Sequence, residues 1–155
     1  MKSCVYNKQT LDGEILMARN NDYIGKYISQ LYRKGNSFIS RELCNVGIGS
    51  GQFMFLMELY RQDGRSQEEL SEVLNIDKGT TARAIKKLEE EGFLLRIKDE
   101  RDKRAYKLYL TDKGKDVKED IQDVLMAWEN MITSQLNEEE KDTMKLLLKK
   151  ICKIK

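Results

Sequence analysis

The chain has 155 residues, 40% of them hydrophobic, which is enough for one core without disulfides or a structural metal. It contains no histidine, which excludes imidazole-based triads, histidine acid–base chemistry and histidine metal ligation together, and Cys4, Cys44 and Cys152 are too dispersed for a disulfide framework or a CxxC pair. Net charge is +2, yet residues 77–107 carry 10 basic against 7 acidic side chains while residues 112–155 carry 9 against 10, so a small phosphate-binding surface fits an almost neutral chain.

No apolar run reaches the roughly 18 residues of a membrane span, and the opening MKSCVYNKQTLDGEI lacks the hydrophobic stretch of a signal peptide. A cytoplasmic protein with no membrane partner is expected. The absence of proline and the density of Lys, Glu, Leu and Met favour long helices. From Asn21, the positions Ile24, Tyr27, Ile28 and Leu31 follow a helical period, and Gly35-Asn36 is expected to end that element, with a short helical piece after Ser40. In GIGSGQFMFLMELY, Phe53, Leu56, Met57 and Tyr60 share a helical face behind Gly47, Gly49 and Gly51. Three spaced glycines raise a phosphate loop, but no GK[ST] follows and no strand precedes, so a turn leading into a helix is the reading.

Asp63-Gly64 breaks the chain again. Ser66 with Glu69 three residues later has capping-box spacing, and Leu70, Val73 and Leu74 continue the apolar side. After a tight connection at Asn75-Ile76, Asp77 can cap a second helix with Thr81, Ala84, Ile85 and Leu88 inward. Two helices of about nine and about fourteen residues meeting across a short turn form a helix-turn-helix. After Gly92 the period changes: FLLRIK and AYKLYL flank the hexapeptide from Asp99 to Arg104, and Tyr106, Leu108 and Leu110 alternate with Ala105, Lys107 and Tyr109 as in a half-buried strand. The fold class is therefore mainly α with a small β-hairpin, a winged helix-turn-helix.

Thr111 can cap the next helix, where Gly114 is tolerated near the start. Val117, Ile121, Val124, Leu125, Trp128 and Ile132 then trace an apolar stripe, and Asn137 with Glu140 caps a last helix carrying Met144, Leu147, Leu148 and Ile151. Such stripes exceed what a small winged core needs, so residues 10–35 and 112–155 are expected to form dimerisation helices around a DNA-binding region at 40–110. The bland alternative is that they complete a monomer's core.

Leu88, Glu89 and Gly92, then Asp99, Arg101, Asp102 and Arg104, then Leu110, Thr111 and Gly114 follow the order Leu-Glu-x-x-Gly, D-x-R-D-x-R, Leu-Thr-x-x-Gly. With this pattern, residues 21–155 resemble the MarR family of bacterial and archaeal transcriptional regulators. The resemblance implies a homodimer built by the N-terminal and two C-terminal helices, binding a pseudopalindromic double-stranded operator and usually repressing nearby genes. It also implies release by a small phenolic or otherwise anionic ligand, or by a redox signal. Ala82 and Gly79 depart from it, standing where many relatives carry a DNA-contacting threonine and a serine. The cysteine of peroxide-sensing relatives has no counterpart at Tyr23 to Tyr27.

Roles follow from the faces. Recognition helix 77–91 would enter the major groove with Lys78, Gly79, Thr80, Arg83 and Lys86 outward, Arg83 forming a bidentate contact with a guanine edge and Lys78 and Lys86 neutralising phosphates. Wing 96–107 would reach the minor groove through Arg101, Lys103 and Arg104, with Asp99 and Asp102 orienting the arginines. A ligand pocket is expected from Tyr27, Phe53, Met57 and Trp128, with Arg19 or Lys26 neutralising an acidic compound. No carboxylate pair, nucleophile–base set or metal cluster emerges, so no enzyme activity and no cofactor are expected. The expected function is a sequence-specific, ligand-responsive repressor; the alternative is a winged-helix module for protein interaction or dimerisation without operator recognition.

Overall fold

The first helix among the described residues, α1, spans Ile24–Glu42 and runs through Gly35-Asn36 instead of stopping there. The reason lies downstream. Ile39 and Leu43 are core residues, and burying such side chains is worth about 1.5–3 kcal/mol each, more than the roughly 1 kcal/mol that a helical glycine costs. The expected short helical piece is a single 3-10 turn, Leu43–Val46, closed by the Gly47 N–H donating to the Cys44 carbonyl at 3.0 Å.

The computed structural model describes residues 22–99 and 105–153 and divides into two units, residues 1–35 and 36–155. In the first, the stripe Ile24, Tyr27, Ile28 and Leu31 is exposed. In the second, Gly49 N–H donates to Gln52 Oε1 at 2.6 Å, forming the expected turn into α2, Phe53–Arg61. The inner face of α2 differs from expectation: Phe55, Leu56 and Leu59 are fully buried, whereas Phe53, Met57 and Tyr60 are only partly so. An apolar segment covered on nearly every side has no single face for its periodicity to mark.

A two-residue strand, β1 at Arg65–Ser66, precedes α3 at Gln67–Leu74; α4 follows at Lys78–Glu90 after Asn75 adopts the left-handed conformation with φ 51°. The two helices have 8 and 13 residues, close to the expected lengths. Strands β2, Leu94–Lys98, and β3, Tyr106–Leu110, form the antiparallel hairpin, with Leu94 opposite Leu110 and Lys98 opposite Tyr106. β1 pairs with β3 as well, Arg65 opposite Leu108, so the sheet order is β1-β3-β2. Leu108 and Leu110 are buried as expected. Tyr106 is exposed, because its end of the hairpin projects beyond the core formed by Leu70, Ile85, Leu88, Phe93 and Leu94.

Ser66 is held in a complete capping box: Glu69 N–H donates to Ser66 Oγ at 3.1 Å and Ser66 N–H to Glu69 Oε2 at 2.5 Å, while Lys107 Nζ reaches the same carboxylate at 3.1 Å. This ties the start of α3 to β3. These donors, the Ser66 backbone N–H first, lower the Glu69 pKa from 4.5 to about 2. A carboxyl whose folded pKa is depressed contributes stability above its unfolded value and loses it as pH falls through the folded one. We therefore expect Glu69→Gln, which retains a capping acceptor, to flatten the decline in urea midpoint between pH 5 and 2. An unchanged decline would remove Glu69 from the acid response.

The last three helices are α5, Asp112–Asp116, α6, Lys118–Thr133, and α7, Glu138–Ile151. Thr111 caps α5 through Gly114 N–H at 3.0 Å, and Asn137 with Glu140 forms a second full capping box. The single helix expected after Thr111 is divided at Val117, whose ψ of 4° separates α5 from α6, and the rest of the expected stripe lies within α6. Val117 and Ile121 are buried, Val124 and Leu125 pack against the core, and Trp128 stacks on Phe38 with ring centroids 5.7 Å apart. None of the residues of α7 is buried, and Leu146, Leu147, Leu148 and Ile151 are all at least 40% exposed.

Candidate nucleic-acid interface

Asp77 begins α4 from extended backbone and accepts the Thr80 N–H at 2.8 Å, which satisfies one of the unpaired donors of the first turn. From that start the helical period fixes the two faces. Thr81, Ile85 and Leu88 are fully buried and Ala84 partly so, while Lys78, Gly79, Thr80, Arg83 and Lys86 are exposed together on the outer side. Lys78 pairs with Glu68 of α3, which lowers the pKa of the carboxyl and raises that of the amine, and Lys86 lies 3.6 Å from Glu90 one turn on. Arg83 instead donates from Nη2 to the Thr80 hydroxyl at 2.9 Å. Exposed ion pairs are worth about 0–1 kcal/mol, so exchanging Glu68 or Glu90 for a phosphate costs little.

The hairpin is fastened beside this helix. Arg96 Nε donates to Glu89 Oε2 at 2.9 Å, linking β2 to the last turn of α4, and Lys107 links β3 to α3 through Glu69. Asp99 N–H donates to the Ala105 carbonyl at 3.0 Å at the foot of the tip. Arg101, Asp102, Lys103 and Arg104 lie outside the described residues. Sequence reasoning missed Glu68, Glu89 and Glu69 as tethers of Lys78, Arg96 and Lys107. Their partners are 10, 7 and 38 residues away, beyond the reach of a local spacing rule.

The expected ligand residues are distributed over both units. Arg19 lies outside the described residues. In the first unit, Lys26 sits 5.8 Å from the Tyr27 ring centroid and the Tyr27 hydroxyl donates to Asp22, a bond that raises the tyrosine pKa. In the second unit, an open groove of about 530 Å³ is lined by Met57, Gln122, Asp123, Leu125, Met126 and Glu129. Of the expected pocket residues, only Met57 belongs to that lining; Trp128 is stacked on Phe38. The charged groups of the groove are carboxylates, which offer an anionic compound no counter-charge.

The sequence profile of the MarR family matches residues 48–106, from the turn before α2 to the start of β3. The helix-turn-helix regulator BilQ of Clostridium symbiosum is 35% identical over 130 residues, 83% of this chain and 90% of BilQ. The chain belongs to the MarR family. A MarR transcriptional regulator from Methanosarcina mazei shares 45% identity and a TM-score of 0.78 over 85% of this chain and 98% of that one. A mutant MarR from E. coli, solved in complex with operator DNA, is similar at 25% identity and a TM-score of 0.77, over 92% of this chain and 99% of that one. MarR membership makes the protein a DNA-binding transcriptional regulator of winged helix-turn-helix fold, in a family that is not enzymatic. Among the described residues, no group of three or more Cys, Asp or Glu could hold a metal ion, and no helix is long and apolar enough to cross a membrane.

Proposed function

We propose that the protein is a cytoplasmic homodimeric repressor that reads a pseudopalindromic operator, with α4 in the major groove and the wing in the minor groove, and that a small effector releases it. The observation that carries this reading is the outward face of α4, where Lys78, Gly79, Thr80, Arg83 and Lys86 stand exposed beside a hairpin tethered to the same helix. An α-helix fits the major groove, and a guanidinium can meet both acceptors of a guanine. Arg101, Lys103 and Arg104, oriented by Asp99 and Asp102, extend the reading to the minor groove on the strength of the sequence.

Dimerisation is supported by apolar residues that stand exposed in each unit: Tyr23, Ile24 and Tyr32 in the first, and Leu146, Leu147 and Leu148 on α7 in the second. A two-fold dimer buries the same patch of each copy. Genomic fragments recovered by the purified protein should contain two related half-sites about 10–10.5 bp apart or at a multiple of that spacing. Sedimentation should give two chains per operator. A monomer binding one half-site at full affinity would refute the dimer. Effector release is tested on the same operator with phenolic acids and with mild oxidant, using a variant with Cys4, Cys44 and Cys152 all changed to serine. Release by oxidant in the wild type alone, with no response to any acid, would replace the ligand by a thiol switch.

A further inference from the structure

Arg83 differs from the other cations of its face in what holds it. Lys78 and Lys86 are paired with carboxylates, whereas the Arg83 Nη2 donates to a neutral acceptor, Thr80 Oγ1, at 2.9 Å. That hydroxyl accepts from the guanidinium and carries no charge of its own. Thr80 is itself anchored through its backbone, whose N–H donates to Asp77 Oδ1 at 2.8 Å. Thr80, foremost, holds the Asp77 pKa down, and the charge of Arg83 adds to the effect. Asp77 is itself fixed as the cap of α4. A line of contacts therefore runs from the helix cap through Thr80, backbone on one side and hydroxyl on the other, to the arginine one turn further along.

An unheld arginine satisfies any nearby phosphate, because its charge attracts every phosphate alike. A guanidinium held at one nitrogen presents its remaining donors in a fixed plane, which a bidentate contact to a base edge demands and a phosphate contact does not. We infer that Thr80 is a positioning residue for base selectivity: its hydroxyl holds the Arg83 guanidinium in the orientation that reads a guanine edge, without touching the base itself. The inference rests on the reading that Arg83 meets a base in the operator.

The test uses the full-length protein and the operator fragment it selects from genomic DNA, with single base-pair changes across one half-site. Arg83→Ala first maps the position that Arg83 reads, where a bidentate pair discriminates by roughly 5- to 150-fold. Thr80→Val keeps the β-branched shape and removes the hydroxyl. It should reduce discrimination at that position alone by about five- to tenfold, change affinity for unrelated DNA by much less than that, and recover with Thr80→Ser. If Arg83→Ala abolishes discrimination and Thr80→Val leaves it intact, the positioning role fails while base reading by Arg83 stands. If Arg83→Ala abolishes no discrimination, both fail. Equal weakening of all DNAs by Thr80→Val, with an unchanged melting temperature, would make Thr80 a phosphate contact and overturn the inference.

Discussion

Gly114→Ala should lower stability by about 2–4 kcal/mol and melting temperature by roughly 4–16 °C, against the ordinary trend for a helical glycine. In an open helix the change to alanine is favourable by about 1 kcal/mol. Here a Cβ on Gly114 would lie 2.0 Å from the Phe93 carbonyl oxygen, a backbone atom that no rotamer change can move. That carbonyl accepts the Thr111 N–H at 3.1 Å, the Thr111 hydroxyl donates to the Gly92 carbonyl at 2.7 Å, and the Tyr60 hydroxyl donates to the Gly114 carbonyl at 2.5 Å. Partial burial raises the Tyr60 pKa to about 12, so that donor stays protonated throughout the usual pH range. The added methyl must therefore displace the junction of α2, β3 and α5 as a unit, and steric overlap decides the sign. Gly25→Ala supplies the control, since a Cβ there meets nothing within 4 Å. Thermal unfolding of both variants checks the claim, and a Gly114→Ala protein as stable as the wild type would show that the junction yields freely.

What was legible in the sequence was fixed by chemistry within a few residues. Ser66 with Glu69 and Asn137 with Glu140 each close a capping box over three residues, and both boxes are present. The hairpin was readable from the alternation around Leu108 and Leu110, and the outward face of α4 from a 3.6-residue period. The failures were settled at longer range. Continuation of α1 past Gly35 depends on the burial of Ile39 and Leu43, and the break at Val117 divides a segment that reads as one helix from its cap at Thr111. β1 is two residues long, too short for any alternation to register. Gly114 looks tolerable on local grounds and is demanded by a carbonyl 21 positions away. At the interface the same division holds: the cations that face outward were foreseeable, while Glu68 and Glu89 reach theirs only once α3 and β2 lie against α4.

Arg83→Ala should produce the largest loss of specific binding of any single change on the outward face of α4. A bidentate arginine–guanine contact is worth about 1–3 kcal/mol of discrimination, and the proposed dimer, with two independent half-sites, would lose it twice, so operator binding should weaken by about 2–6 kcal/mol. That range corresponds to roughly 30-fold to beyond 10⁴-fold in affinity. Arg83 is exposed and donates only one hydrogen bond, to Thr80, among the described residues, so truncation should leave the fold intact. Lys86→Ala provides the contrast. Its amine pairs with Glu90 at the surface at 3.6 Å, and a phosphate contact carries no sequence information. Losing it should weaken all DNAs about equally and reduce the slope of log affinity against log salt by about 1 per contact. Titrations of operator and unrelated DNA at several salt concentrations separate the two. If Arg83→Ala lowers the salt slope and leaves the ratio of specific to non-specific affinity unchanged, Arg83 is a phosphate contact and base reading must come from elsewhere on the head.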